Sequence, residues 1–199
     1  MTQETPRLQR YLIRLSNTAK LKPKQIREIS ARLSRLVEGF HGTVANVRIS
    51  DIAVEFDLFI AKSNSANEVI RALSKFGAIL SQRNLREEVR VKDKDQIMEL
   101  IVRLFNEQRY WECHEVLEYI WKVEKDPDEK NLQNGIILAA SALVHAQKDE
   151  DDVCLRMLER SLSKLDSWKG CCYHGFDVDS LKNCLKDLLS SRNVVFRKI

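Results

Sequence analysis

His114 and Glu118 stand one helical turn apart in the run YWECHEVLEYIWKVE, residues 110–124. An imidazole and a carboxylate at that spacing can grip one divalent cation, or can exchange a proton. Two ligands are too few for a metal site, which needs three or four. His145, near the end of the next helical run, is the best third candidate. The expectation is therefore a metal set of His114, Glu118 and His145 holding zinc, manganese or iron. At 100° per residue, Glu112, Glu115, Tyr119 and Lys122 share the wet face of this helix, with Leu117 opposite. His114 falls about 60° from the buried centre and Glu118 about 100° from it, at the edge of an apolar stripe. Trp111 and Trp121 lie on the same side and are candidates to line a binding groove. The bland alternative is a satisfied hydrogen-bonded pair, because a polar pair at such an edge costs free energy unless each member has a partner.

Two further groups compete with this one and are weaker. Asp149 to Asp152 read as a solvated turn and helix start. Cys171, Cys172 and His174 lack the spacing of a structural zinc site.

The elements that must position His114 and Glu118 are helical. Residues 93–106, 110–124, 130–147, 150–167 and 178–191 carry apolar residues at helical spacing, with Asp126-Pro127-Asp128 as a turn and 170–177 as a loop. The third run, with GIILAASALVHA, is rich in small residues that allow close packing. Short loops make antiparallel hairpins, so residues 92–199 form an all-α helical-hairpin bundle.

Residues 1–91 read differently. The spacing predicts a strand over 8–15, a helix from Pro23 to Gly39 ended by Gly39 and Gly42, and strands over 43–50 and 52–61 joined at Ser50-Asp51. A helix over 66–80 and a strand over 84–91 follow. Strand, helix, strand, strand, helix, strand is the ferredoxin-like βαββαβ order, so the fold class is α+β. One sheet face is covered by the helices and the other left open. On strand 52–61 that open face carries Glu55, Asp57 and Phe59, and the carboxylates would repel phosphate. In this order the first and third strands are neighbours, so Glu55 and Asp57 can pair with Arg10 and Arg14. The expected face is solvated and laced with ion pairs. Nucleic acid is not its expected partner; a second copy of the chain or another protein remains open.

The 199 residues carry a net charge of +4, unevenly divided. Residues 1–90 hold 16 Lys and Arg against 9 Asp and Glu, and residues 91–199 hold 17 against 20. This asymmetry supports a basic first unit and an acidic second one. Five cysteines, all in the second half, argue against a disulfide framework. No apolar run approaches a membrane span and the first residues lack a signal core, so a cytoplasmic protein is expected.

The run LFNEQRYWECHEVLEYIW, residues 104–121, resembles the family called domain of unknown function 309, marked by His-x-x-x-Glu-x-x-Trp: here His114, Glu118 and Trp121. The resemblance extends over about 95–185, through Asn134-Gly135, the small-residue helix ending at His145, Leu158 to Leu162, and Tyr173 to Asp177. It implies a small helical domain of bacterial and archaeal type with a metal at the motif, and no established reaction. The sequence departs from the family pattern at Leu138, where a glutamine is usual, and at Lys148-Asp149-Glu150, where a Gly-Asn turn is usual. Two readings follow. One is a metal-dependent hydrolase with His114 and Glu118 as ligands. The other is a non-enzymatic helical binding or adaptor module in which the pair is structural.

Overall fold

The structure is a computed structural model, and it describes residues 8–61, 66–85, 93–192, 194 and 199. The chain divides into two compact units, Met1–Glu88 and Val89–Ile199. No helix among the described residues is long and apolar enough to cross a membrane.

The first unit runs β1 (Leu8–Ser16), a short 3-10 turn (Pro23–Gln25), α1 (Ile26–Glu38), β2 (Thr43–Ile49), β3 (Ala53–Ala61), α2 (Ala66–Leu73) and β4 (Ile79–Asn84). The strands lie in the order β2-β3-β1-β4, every neighbouring pair antiparallel. Period-two alternation puts Ile13 and Leu15 of β1 and Val54, Phe56, Leu58 and Ile60 of β3 on one face. There they pack against Ile29, Leu33 and Val37 of α1 and Val69 and Leu73 of α2.

The opposite face differs from the solvated one expected. Glu55 is 5% exposed and Asp57 is fully buried, as is Arg48 at 2%. Arg10 donates to Asp57 from Nη2 at 2.7 Å, Arg48 donates to Glu55 at 2.6 Å and to Asp57 at 3.2 Å, and Arg14 lies 3.4 Å from Glu55. The cross-strand pairs with Arg10 and Arg14 are present, and Arg48 on β2 completes them. Buried carboxylates survive there because each meets guanidinium groups. Asn46 adds a further donor to Asp57 at 2.8 Å, from a left-handed residue (φ 51°) at the irregularity in β2.

Two boundaries also move. The second helix stops at Leu73, and the fourth strand is Ile79–Asn84, earlier than 84–91; residues 86–91 lie outside the described ones. Gly77 lies in the turn that follows. It passes so close to β1 that a Cβ there would stand 2.7 Å from the Ser16 carbonyl oxygen. At the end of α1, Gly39 stays right-handed and His41 takes the left-handed turn at φ 50°. Gly42 N–H donates to the Val37 carbonyl and His41 N–H to that of Glu38, the two bonds of a Schellman close.

The second unit is α3 (Lys94–Asn106), α4 (Tyr110–Val123), α5 (Pro127–Ala146), α6 (Asp151–Leu165), a small hairpin of β5 (Cys172–Tyr173) and β6 (Phe176–Asp177), and α7 (Val178–Ser191). Asp126 belongs to the start of α5 rather than to a separate turn. Its side chain accepts from the Asp128 and Glu129 amides, and Pro127 sits where a missing N–H does no harm. The loop over 170–177 contains the β5–β6 hairpin, whose two turn residues, His174 (φ 47°) and Gly175 (φ 77°), both have positive φ as a primed turn requires.

Replacing Asp57 with alanine leaves the buried Arg48 to Glu55 and removes a partner of Arg10 and Asn46, and is expected to destabilise the first unit by about 3 kcal/mol. Lys22→Ala breaks only an exposed pair with Asp51 and is expected to cost less than about 1 kcal/mol. Urea unfolding of both variants checks the contrast, and equal midpoints would refute it.

Candidate functional site

Helix α4 starts from a tight reversal. Gln108, at φ 57°, closes α3 with the Schellman pair Arg109 N–H to Leu104 O and Gln108 N–H to Phe105 O. The chain therefore enters α4 with Tyr110 and Cys113 turned into the core, both 0% exposed. The helical wheel places Glu112 of the first turn on the wet face, but it is 3% exposed. Arg109 grips it with two parallel bonds, 2.7 Å from Nε and 2.9 Å from Nη2. The bidentate pair satisfies the carboxylate, and a carboxylate in the first turn also suits the helix dipole.

His114 and Glu118 come together as their spacing requires, at the edge of the core. The side chains are 25% and 36% exposed, and His114 Nε2 lies 3.4 Å from Glu118 Oε1. The other ring nitrogen, Nδ1, lies 3.4 Å from Glu115 Oε1. Glu118 also accepts from the Lys122 ammonium at 2.9 Å, one turn further on. The two carboxylates address opposite sides of the imidazole, so no single ion can touch both together with one ring nitrogen. An ammonium already engages Glu118.

The structure does not bring His145 into this pair: its Nδ1 meets Glu150 across the α5–α6 turn. His174 Nδ1 meets Asp95 at 2.5 Å. Cys171 and Cys172 are exposed, and Cys113, Cys154 and Cys184 are buried. Burial pushes the Cys113 thiol well up, which leaves it an inert core group. Among the described residues, no group of three His, Cys, Asp or Glu side chains is placed to hold a metal ion. Trp111 and Trp121 are half-buried and pack against the helical core. The Lys130 ammonium stands over the Trp121 ring, 5.2 Å from its centroid.

A more heavily perturbed group lies elsewhere in the unit, at residues the sequence pattern does not single out. Lys94 donates to Glu124 and to Glu129, both at 2.7 Å. Tyr173 donates its hydroxyl to Glu129 at 2.7 Å, and the buried Gln133 donates to that hydroxyl at 2.8 Å and to Glu124 at 3.1 Å. The Lys125 and Asp126 amides donate to the second oxygen of Glu124. The Lys94 ammonium, outweighing burial, holds the Glu124 carboxyl down at about 2. Its bonds to Glu124 and Glu129 raise Lys94 itself. Burial, reinforced by the bond to Glu129, pushes Tyr173 up to about 12. The start of α3, the α4–α5 turn and β5 are joined by this network. No signal singled it out in the sequence, because Gln133 stands among the polar residues Lys130, Asn131 and Asn134, ahead of the apolar run that begins at Ile136.

Residues 98–157 match the model of a family described as Domain of unknown function (DUF309). The matched segment runs from α3 into α6 and includes His114, Glu118 and His145. No curated protein matches the chain.

The half-exposed His114–Glu118 pair is expected to couple weakly, by about 0.3–0.5 kcal/mol in a double-mutant cycle. Glu112→Ala, which takes the bidentate partner from Arg109 and leaves it Glu107 alone, is expected to cost about 1.5–3 kcal/mol and so to exceed either single change at the motif. Thermal unfolding of these variants decides this. A loss in Glu112→Ala no larger than that in His114→Ala or Glu118→Ala would refute it.

The folded-state pKa of Glu124 is depressed from 4.5 to about 2, so its contribution is complete above pH 4.5 and is lost as pH falls toward 2. Tyr173, raised from 10.0 to about 12, contributes fully below pH 10 and loses that contribution as pH rises toward 12. Glu124→Gln is therefore expected to flatten the acid limb of the stability–pH curve between pH 4.5 and 2. An unchanged limb would count against the network.

Proposed function

We propose that the second unit is a non-enzymatic helical binding module, and that its His-x-x-x-Glu motif orders the surface of α4 rather than serving a reaction. The observation that carries this is that Lys122 of the same helix donates to Glu118 and that, among the described residues, no third metal-ligand side chain joins His114 and Glu118. His114 is flanked by Glu115 and Glu118 on opposite ring nitrogens, and Glu118 is taken by Lys122. A catalytic metal needs three protein ligands and an open position, and a general base needs a nitrogen free to take a proton from substrate.

The same helix supports a binding role. Tyr119 and Val123 are 62% and 69% exposed, one turn apart, beside the row of polar side chains His114, Glu118 and Lys122. In the second unit they are the large apolar side chains most open to solvent among the described residues. An exposed apolar pair framed by fixed charges suits an amphipathic helical segment of another protein, whose apolar stripe would cover Tyr119 and Val123.

The test is metal content and metal response. The purified protein is expected to carry no stoichiometric transition metal, and its melting temperature to stay unchanged with chelator or with added zinc, manganese or iron. A stoichiometric metal that raises the melting temperature, and is lost in His114→Ala, would overturn the reading in favour of a metal enzyme.

A further inference from the structure

We propose that the helix layer of the first unit binds the phosphate backbone of double-stranded nucleic acid, by charge and shape rather than base sequence. The sheet face speaks against nucleic acid because it carries Glu55 and Asp57, and the structure ties these to Arg10, Arg14 and Arg48 in one buried network. The surplus positive charge of the unit therefore lies elsewhere. Lys24, Arg27 and Arg35 are exposed at and along the outer side of α1, and Arg71 and Lys75 are exposed at the end of α2. Both helices pack on the same sheet face through Ile29, Leu33, Val37, Val69 and Leu73, so these cations belong to one layer.

None of the five meets a carboxylate among the described residues. On the same helices Glu28 is paired to Arg32 at 3.9 Å, which leaves Glu38 and Glu68 as opposing charge. The balance is positive, as a phosphate backbone requires.

Beside Arg35 a groove of about 500 Å³ opens between the end of α1 and the start of β2. It is lined by the Ser34 and Thr43 hydroxyls and by His41, with Glu38 as its one carboxylate. Hydroxyl and guanidinium donors together are the usual partners of phosphate oxygens. The aromatic rings near this layer, Phe40 and Phe76, are half-buried in the core, and Arg32 covers Phe76 at 5.1 Å. A face without open rings offers no stacking platform for unpaired bases, which favours a duplex over a single strand.

The experiment is fluorescence anisotropy of the full chain with a labelled duplex of about 20 base pairs, read at about 50 and about 200 mM salt. Five phosphate contacts predict a log–log salt slope of about −4.5, and so a loss of affinity of about 500-fold across that range. Arg27→Glu with Arg35→Glu is expected to weaken binding at least tenfold and to reduce the slope by about two, one unit per lost contact. Both side chains are exposed on α1, so the fold is expected to persist, as circular dichroism will check. Lys169→Glu with Lys186→Glu makes the same charge change in the second unit and is expected to leave affinity within about twofold. Equal losses in the two double variants would overturn the proposal, since net charge alone would then be at work. It is also overturned by a chain that ignores the duplex at about 50 mM salt, or that binds poly-glutamate more tightly than duplex, because the layer would then serve an acidic protein.

Discussion

Gly135 and the alanines that follow it set the terms for the second unit. A Cβ at Gly135 would stand 2.8 Å from Leu165 Cδ2 and 3.3 Å from Lys164 Cβ, so the missing side chain makes room for α6 against α5. Ala139, Ala140 and Ala142 continue the line at 0% exposure, and Ser161 returns a bond to the Gly135 carbonyl at 2.7 Å. Close approach of two backbones multiplies dispersion contacts and buries α5 on nearly every side. A helix buried in this way accepts few polar side chains. Polar chemistry in the unit is therefore pushed to the ends of α5 and to the outer edge of its neighbours. His114 and Glu118 sit at such an edge for this reason, and Lys94, Glu124, Glu129 and Tyr173 gather at one end.

Gln133 is the exception that shows the constraint. It is fully buried near the start of α5, and its amide is held by donating to Tyr173 and Glu124. That demand explains the placement of the β5–β6 hairpin. Tyr173 must reach inward at 4% exposure, so the two residues after it must turn the chain sharply. His174 and Gly175 do so with positive φ, and His174 is steadied there by Asp95 of α3. The resulting network joins three separate segments of the unit through one ammonium and two carboxylates. Its residues hold each other's charge states, which is what a structural clasp requires and what a catalytic acid or base near neutral pH does not.

The helices were legible because their apolar period is unbroken, and the regular spacing of Ile97, Ile101, Leu104 and Phe105 in α3 needs no tertiary information. The β4 boundary was not legible. Residues 74–80 carry apolar positions compatible with more helix, and the close approach of Gly77 to the Ser16 carbonyl on β1, a tertiary contact, is not visible in them. Glu112 departs from its pattern for a similar reason. A helical wheel puts it with Glu115 and Tyr119, but Arg109 at the helix entrance folds over and carries it out of water. At the motif, spacing correctly brings His114 and Glu118 together. It cannot show that Lys122 engages Glu118 or that Glu150 takes His145, because both depend on which of several charged neighbours a flexible side chain reaches first.

The two units handle buried charge by different means, and the difference follows from their secondary structure. In a sheet, side chains two residues apart share a face, so Glu55 and Asp57 stand side by side and need cations from both neighbouring strands. Arg10 and Arg14 on β1 and Arg48 on β2 supply them, which consumes the arginines of that face and leaves the helix layer to carry the unit's open positive charge. In a helix, partners lie three or four residues away on the same element, so Arg109 with Glu112 and Glu118 with Lys122 close locally. Local closure leaves little polar capacity for a ligand at the motif. Beside the charged Glu115 and Lys122, α4 also presents the apolar pair of Tyr119 and Val123 to solvent, the feature on which the proposed binding role rests.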